Sequence, residues 1–225
     1  MNQNLVEIAF ILDRSGSMEA LREQAITGFN HFITDQLKEP GEARLTLVLF
    51  DDEYLVPIEA RTLRDVPPLD AATYVPRNST ALLDAIGQTV DRLGQRLASA
   101  PDAERPGQVI IAILTDGLEN ASTRHTWQDI AARIRHQREK YNWQFLFLGA
   151  NQDAIATAAR MNIGAADAAT YGANSVGIRA STSSLSRKTS ALRRAHVGHV
   201  AEPDLLKPMQ QILAEEDAAG RNASP

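Results

Sequence analysis

The residues of this 225-residue chain whose types and spacing could first do chemistry are Asp13, Ser15 and Ser17, in the run Leu12-Asp13-Arg14-Ser15-Gly16-Ser17-Met18. One carboxylate followed by two hydroxyls at alternate positions, with Gly16 permitting a tight backbone path between them, offers three oxygens to one point in space. Oxygens of this kind suit Mg²⁺ or another hard divalent cation. Two further oxygens stand at comparable places. Thr80 follows Asn78-Ser79 at the opening of an expected helix, and Asp116, just before Gly117, closes an expected strand. Taken singly, a Ser, Thr or Asp at such a turn is more often a helix cap than a ligand. What weighs against caps is that three separate segments bring only oxygen to what should be one edge of a sheet. The chain has no cysteine, so a thiolate zinc site, an iron–sulfur cluster and a thiol nucleophile are excluded.

The elements that must position these residues follow from the apolar pattern. Val6 to Leu12, Arg44 to Phe50, Val109 to Thr115 and Gln144 to Gly149 read as strands buried on both faces, as in a parallel sheet. Between them Met18 to Leu37, Thr80 to Ala100 and Trp127 to Tyr141 have helical spacing. This βαβα alternation predicts an α/β fold, a doubly wound and mostly parallel sheet with helices on both faces. Glu53 to Glu59 follows the second strand too closely for a crossover and should form an antiparallel edge. Asp153 to Met161 reads as a short helix, Ala168 to Tyr171 as a weak last strand, and Leu205 to Ala214 as a helix. In an open parallel sheet ligands bind at the carboxyl edge, where the loops converge, and this is where Asp13, Ser15, Ser17, Thr80 and Asp116 should meet.

Charge divides the chain. The formal net charge is −5, yet residues 174–200 hold five basic side chains and no acidic one. The acidic whole argues against a nucleic-acid binder, and the basic stretch lacks the interleaved aromatics of a stacking platform. Its apolar residues, Val176, Ala180, Leu185 and Leu192, are too loosely spaced for a clear amphipathic stripe. The expected organisation is therefore a domain over 1–173 and a basic, Ser-rich segment with a helical extension over 174–225, which either completes the domain or forms an arm separable from the metal site. His196 and His199 have i, i+3 spacing, but with Gly198 beside them and no third ligand they read as surface histidines. Leu5 to Leu12 is interrupted by Glu7 and lacks a basic leader, so neither a signal peptide nor a membrane span is expected, and the chain is expected to be cytoplasmic.

Together, Asp13-x-Ser15-x-Ser17, the distant Thr80 and the distant Asp116-Gly117 resemble the metal-ion-dependent adhesion site (MIDAS) of the von Willebrand factor type A (vWA) domain family. Phe50-Asp51-Asp52 is similar to the family's turn after its second strand, and Asn78-Ser79-Thr80-Ala81-Leu82 stands where Gly-Gly-Thr-x-Leu is commoner. The resemblance extends from about Val6 to Tyr171. It implies a divalent cation, Mg²⁺ or alternatively Mn²⁺ or Ca²⁺, held by Ser15 and Ser17 and, directly or through water, by Thr80, Asp13 and Asp116. It also implies an open position for the carboxylate of a partner protein, a binding role rather than an enzymatic one, and partners such as an AAA+ ATPase or stress-response and phage proteins.

Two other functions compete. Haloacid-dehalogenase phosphatases also begin with an Asp at the end of a first strand, but they use Asp-x-Asp. Here Ser15 takes the second position and cannot act as an acid or base at neutral pH. The remaining alternative is an assembly subunit whose metal is purely structural.

Overall fold

The structure, a computed structural model, describes residues 1–151, 153–198 and 203–222. Six strands form one sheet in the order β3-β2-β1-β4-β5-β6. They are β1 (Asn2–Asp13), β2 (Glu42–Phe50), β3 (Tyr54–Thr62), β4 (Pro106–Thr115), β5 (Gln144–Ala150) and β6 (Ala168–Tyr171). All neighbours are parallel except β2 and β3, so the short connection 51–53 does make the expected antiparallel edge. From β1 the chain crosses outward to β2 on one side and later to β4 on the other. The winding therefore reverses between β1 and β4, which opens a crevice at their carboxyl ends.

Alternate side chains of β1 feed two cores. Val6, Ile8, Phe10 and Leu12 pack on one face of the sheet, and Ala9 and Ile11 on the other. The first face is covered by α1 (Arg22–Gln36), α5 (Ser175–His196) and α7 (Met209–Asn222), and the second by α2 (Leu82–Ser99), α3 (Trp127–Tyr141) and α4 (Ala154–Arg160). A carboxylate within this apolar frame needs a partner. Fully buried Glu7 finds one in Arg96 of α2, at 2.6 Å.

Helix starts differ from the sequence pattern in two places that matter for the site. The turn Gly16–Leu21 is a 3-10 helix, and α1 begins only at Arg22. Helix α2 begins at Leu82 rather than Thr80, so Thr80 lies in the loop before it. The expected helix at 205–214 is divided into α6 (Pro203–Leu206) and α7, because Pro208 between them has no N–H to continue a helix.

The basic segment is neither loose nor arm-like. Helix α5 buries Ser181, Thr182, Ser184, Ser186, Thr189 and Ser190 together with Ile178 and Leu185, against α1 and the sheet. Its buried face is built from small hydroxyl residues, some donating back to their own helix, such as Ser184 to Ala180 O at 2.6 Å, and others bonding to α1, as Ser186 to Asp35 and Ser190 with Gln36, which is why no apolar stripe marks it. At Gly28 of α1 the helices approach so closely that a Cβ would sit 2.5 Å from Thr182 Oγ1. Of the two organisations left open for this segment, its packing matches the one in which it completes the domain. Much of the positive charge is engaged internally: Arg187 pairs with Asp204, Glu215 and Glu216, Arg194 with Glu39, and buried Lys188 donates to the carbonyls of Asp204, Leu205 and Lys207. His196 ends α5, while His199 lies outside the described residues.

Candidate functional site

All five oxygen-bearing residues come together at the carboxyl ends of β1 and β4. Asp13 is the last residue of β1 and wholly buried. Its Oδ1 accepts the Ser15 N–H at 2.7 Å, and its Oδ2 accepts the hydroxyl of Thr115, the last residue of β4. Ser15 and Ser17 bring their Oγ atoms within 3.2 Å of each other, and the Ser17 hydroxyl donates to Asp116 Oδ1 at 2.6 Å. Thr80 arrives on the loop before α2. A Cβ on Gly117 would lie 2.6 Å from Thr80 Oγ1, so only glycine lets the 116–117 backbone close against this hydroxyl.

These hydroxyls are not helix caps. Ser15 precedes the 3-10 turn and Ala81 precedes α2, and neither provides a side-chain cap. By contrast α3 has a full capping box, formed by Thr126 and Asp129. The cap interpretation that competes for each residue singly therefore fails at this edge and holds where no site is expected.

Electrostatics sharpen the picture. Burial pushes the Asp13 carboxyl up to about 6, against the lowering effect of its Thr115 and Ser15 hydrogen bonds, and the nearby charge of Asp116 adds to the rise. Burial also raises Asp116. Among the described residues neither carboxylate has a basic partner, because the adjacent Arg14 is committed to Asp51 at 3.1 Å. One buried and one half-buried carboxylate with three neutral hydroxyls and no protein cation make a donor set that fits a hard divalent ion. Among the described residues, this edge included, no group of three or more His, Asp and Glu side chains that could hold a metal gathers, so an ion here would depend on the hydroxyl oxygens as well.

A second layer fixes the loops. Buried Asp51 accepts from Arg14 Nη2, from Arg77 Nε at 2.9 Å and from the Glu53 N–H, while its carbonyl accepts the Ala81 N–H. Gly16 N–H donates to Asn78 O, and Arg77 N–H to Arg14 O. The Ser15–Ser17 loop and the Thr80 loop are thereby one hydrogen-bonded unit. Asn78, where the commoner pattern has glycine, has φ +58°, a left-handed conformation that asparagine tolerates better than most residues. Asn120 Oδ1 accepts the Thr80 N–H, and Glu119 caps Leu83, Ala121 and Ser122, which ties the loop after Asp116 to the same unit. Thr115, Tyr74 and Tyr171, which hold the strand ends, carried no sequence signal of their own.

No family profile and no curated relative matches the chain. Solved structures do. Proximal thread matrix protein 1 from the mussel byssus, in a form with a zinc-occupied MIDAS motif, superposes with a TM-score of 0.54 at 15% identity, over 82% of this chain and 46% of that one. A von Willebrand factor type A protein from Catenulispora acidiphila gives 0.52 at 18% identity, over 83% and 42%. The chain has the vWA fold. Manganese-loaded TRAP protein from Plasmodium vivax shares it, at a TM-score of 0.53 and 15% identity over 76% and 70% of the two chains. This chain spans less than half the length of the byssus and Catenulispora proteins, so the likeness is that of one vWA unit. Among the described residues no helix is long and apolar enough to cross a membrane.

Proposed function

We propose that this vWA-fold chain is a divalent-cation-dependent protein-binding module, in which Asp13, Ser15, Ser17, Thr80 and Asp116 hold Mg²⁺, or Mn²⁺ or Ca²⁺ in its place, and recognise an acidic residue of a partner. The observation that carries the reading is the convergence of these residues at one sheet edge around a buried Asp13 and a half-buried Asp116 that have no basic partner among the described residues. Asp13, with both oxygens already accepting protein hydrogen bonds, orients the loop. Ser15, Ser17 and Asp116 point their oxygens at one another. A bound divalent ion would supply an electrophilic position that a partner's Asp or Glu can fill.

A catalytic role is the weaker reading. Ser15 stands where an acid–base carboxylate would be needed, and Asp13 is shielded by Thr115 rather than presented as a nucleophile. We place the protein in the cytoplasm, on the sequence reading of Leu5 to Leu12, and its partner among AAA+ ATPases or stress-response and phage proteins, on the family resemblance alone.

The test is affinity capture with the intact chain and with Asp13→Ala, each in Mg²⁺ and in excess chelator. Partners retained by the intact chain in Mg²⁺ and lost in the other three arms support the reading. Partners that survive chelation would make the ion structural, and turnover of phosphoesters in Mg²⁺ would restore the enzyme alternative.

A further inference from the structure

We infer that Tyr74 and Tyr171 are positioning residues of the metal site, fixing from beneath the strand ends that carry Asp13 and Asp116 and so setting ion affinity and the preference for a small over a large divalent ion. The inference rests on the metal-site reading above.

The two tyrosines come from unrelated places. Tyr74 lies in the irregular stretch between β3 and α2, and Tyr171 ends β6 at the far edge of the sheet. Both are buried, and each hydroxyl donates to the carbonyl of the last residue of a site-bearing strand: Tyr74 to Asp13 O at 2.6 Å, Tyr171 to Thr115 O at 3.2 Å. These are the neighbouring strand ends that Thr115 Oγ1 already ties to the Asp13 carboxylate. Both phenols also lie within Coulomb range of both carboxylates: burial raises each phenol, and the charges of Asp13 and Asp116 add to it. They therefore remain neutral donors at any workable pH.

Tyr74 does more than fill volume. Its own carbonyl accepts Arg22 Nε, and three residues further on Arg77 and Asn78 bond to the Asp13–Gly16 loop. Its phenol thus closes a ring joining the Thr80 loop to the end of β1. Outer partners of this kind orient metal ligands, and removing one typically weakens metal binding about 10–100-fold. A small ion such as Mg²⁺ demands near-ideal octahedral geometry, whereas Ca²⁺ tolerates irregular and larger cages. Slack at the strand ends should hence weaken Mg²⁺ more than Ca²⁺.

The experiment uses the full chain, Tyr74→Phe, Tyr171→Phe and the double variant, with exposed Tyr141→Phe as control. Each is stripped of metal, melted, and titrated calorimetrically with MgCl₂ and CaCl₂, and the tyrosine near-ultraviolet difference spectrum is recorded on Mg²⁺ addition. The expected result is an Mg²⁺ affinity about 10-fold or more lower in each variant, a smaller loss for Ca²⁺, and a difference spectrum present in the intact chain and the control but absent in the double variant. Unchanged Mg²⁺ affinity and an unchanged Mg²⁺-to-Ca²⁺ ratio, with only a lower metal-free melting point, would show that the phenols merely satisfy buried carbonyls and would overturn the inference. If Tyr74→Phe does not fold, Tyr171→Phe decides by the same criteria. If the intact chain binds neither ion, the metal-site reading itself has failed; if it binds and the variants bind alike, only this inference has.

Discussion

Ser17 and Asp116 stand 99 residues apart in the chain, yet the serine hydroxyl donates to the aspartate carboxylate at 2.6 Å. One arrives on the loop after β1, the other on the loop after β4, and the reversal of winding between these strands brings them together. Both oxygens are among those that would hold a divalent cation, which would supply an electrophilic position there.

Metal binding should stabilise the fold, since the unfolded chain has no preformed site. At an ion concentration 100 times Kd the gain is about 2.7 kcal/mol. Calorimetry should find one saturable Mg²⁺ or Mn²⁺ site, with a rise in Tm on adding the ion. Asp116→Ala and Asp13→Ala should abolish both. Wild-type binding by either variant would place the ion elsewhere.

Thr80→Ala should weaken partner binding more than metal binding. In the family resemblance the threonine responds to the incoming ligand, and here its hydroxyl lies against Gly117. Measuring both affinities on the same preparation checks this. Equal losses would make Thr80 an ordinary ligand.

Asp84 should contribute to acid stability. Burial alone would raise its carboxyl, but the N–H groups of Thr123, Arg124 and His125 and the His125 ring together hold it below the usual carboxylate range. A carboxyl lowered in the folded state contributes stability that is present above its unfolded value, about 3.9, and is lost as pH falls through the folded value. Asp84→Asn should therefore cost about 1–3 kcal/mol near neutrality and show a shallower decline below about pH 4. Melting curves across acidic pH decide; parallel curves for the two proteins would exclude the linkage.

The contact between α1 and α5 should be intolerant of added volume. Gly28→Ala would press a methyl into the β-branched and buried Thr182, and overpacking of this kind costs about 1–3 kcal/mol. A chain ending at residue 173 should fail to fold, because it loses the face on which α1 packs. Denaturant titration tests the first and circular dichroism the second, and a folded truncation with intact metal binding would show α5 to be dispensable after all.

The alternating and continuous apolar runs of β1, β2, β4 and β5 determined the fold class, because a parallel sheet needs strands buried on both faces and few other arrangements tolerate them. Local spacing likewise exposed Asp13, Ser15 and Ser17, since three oxygen-bearing side chains on one tight loop can be recognised within five residues. Thr80 and Asp116 were legible as strand-end oxygens, but their arrival at that loop depended on strand order, which is decided by crossovers no local pattern encodes. The role of α5 was hidden for a different reason: its buried face uses serine and threonine residues, several of whose hydroxyls bond to the helix itself or to α1, so burial left no hydrophobic trace. Tyr74 and Tyr171 were hidden more deeply still. A phenol's partner here is a main-chain carbonyl 61 or 56 positions away, and a carbonyl is the same at every residue, so only tertiary packing could decide which one each tyrosine would hold.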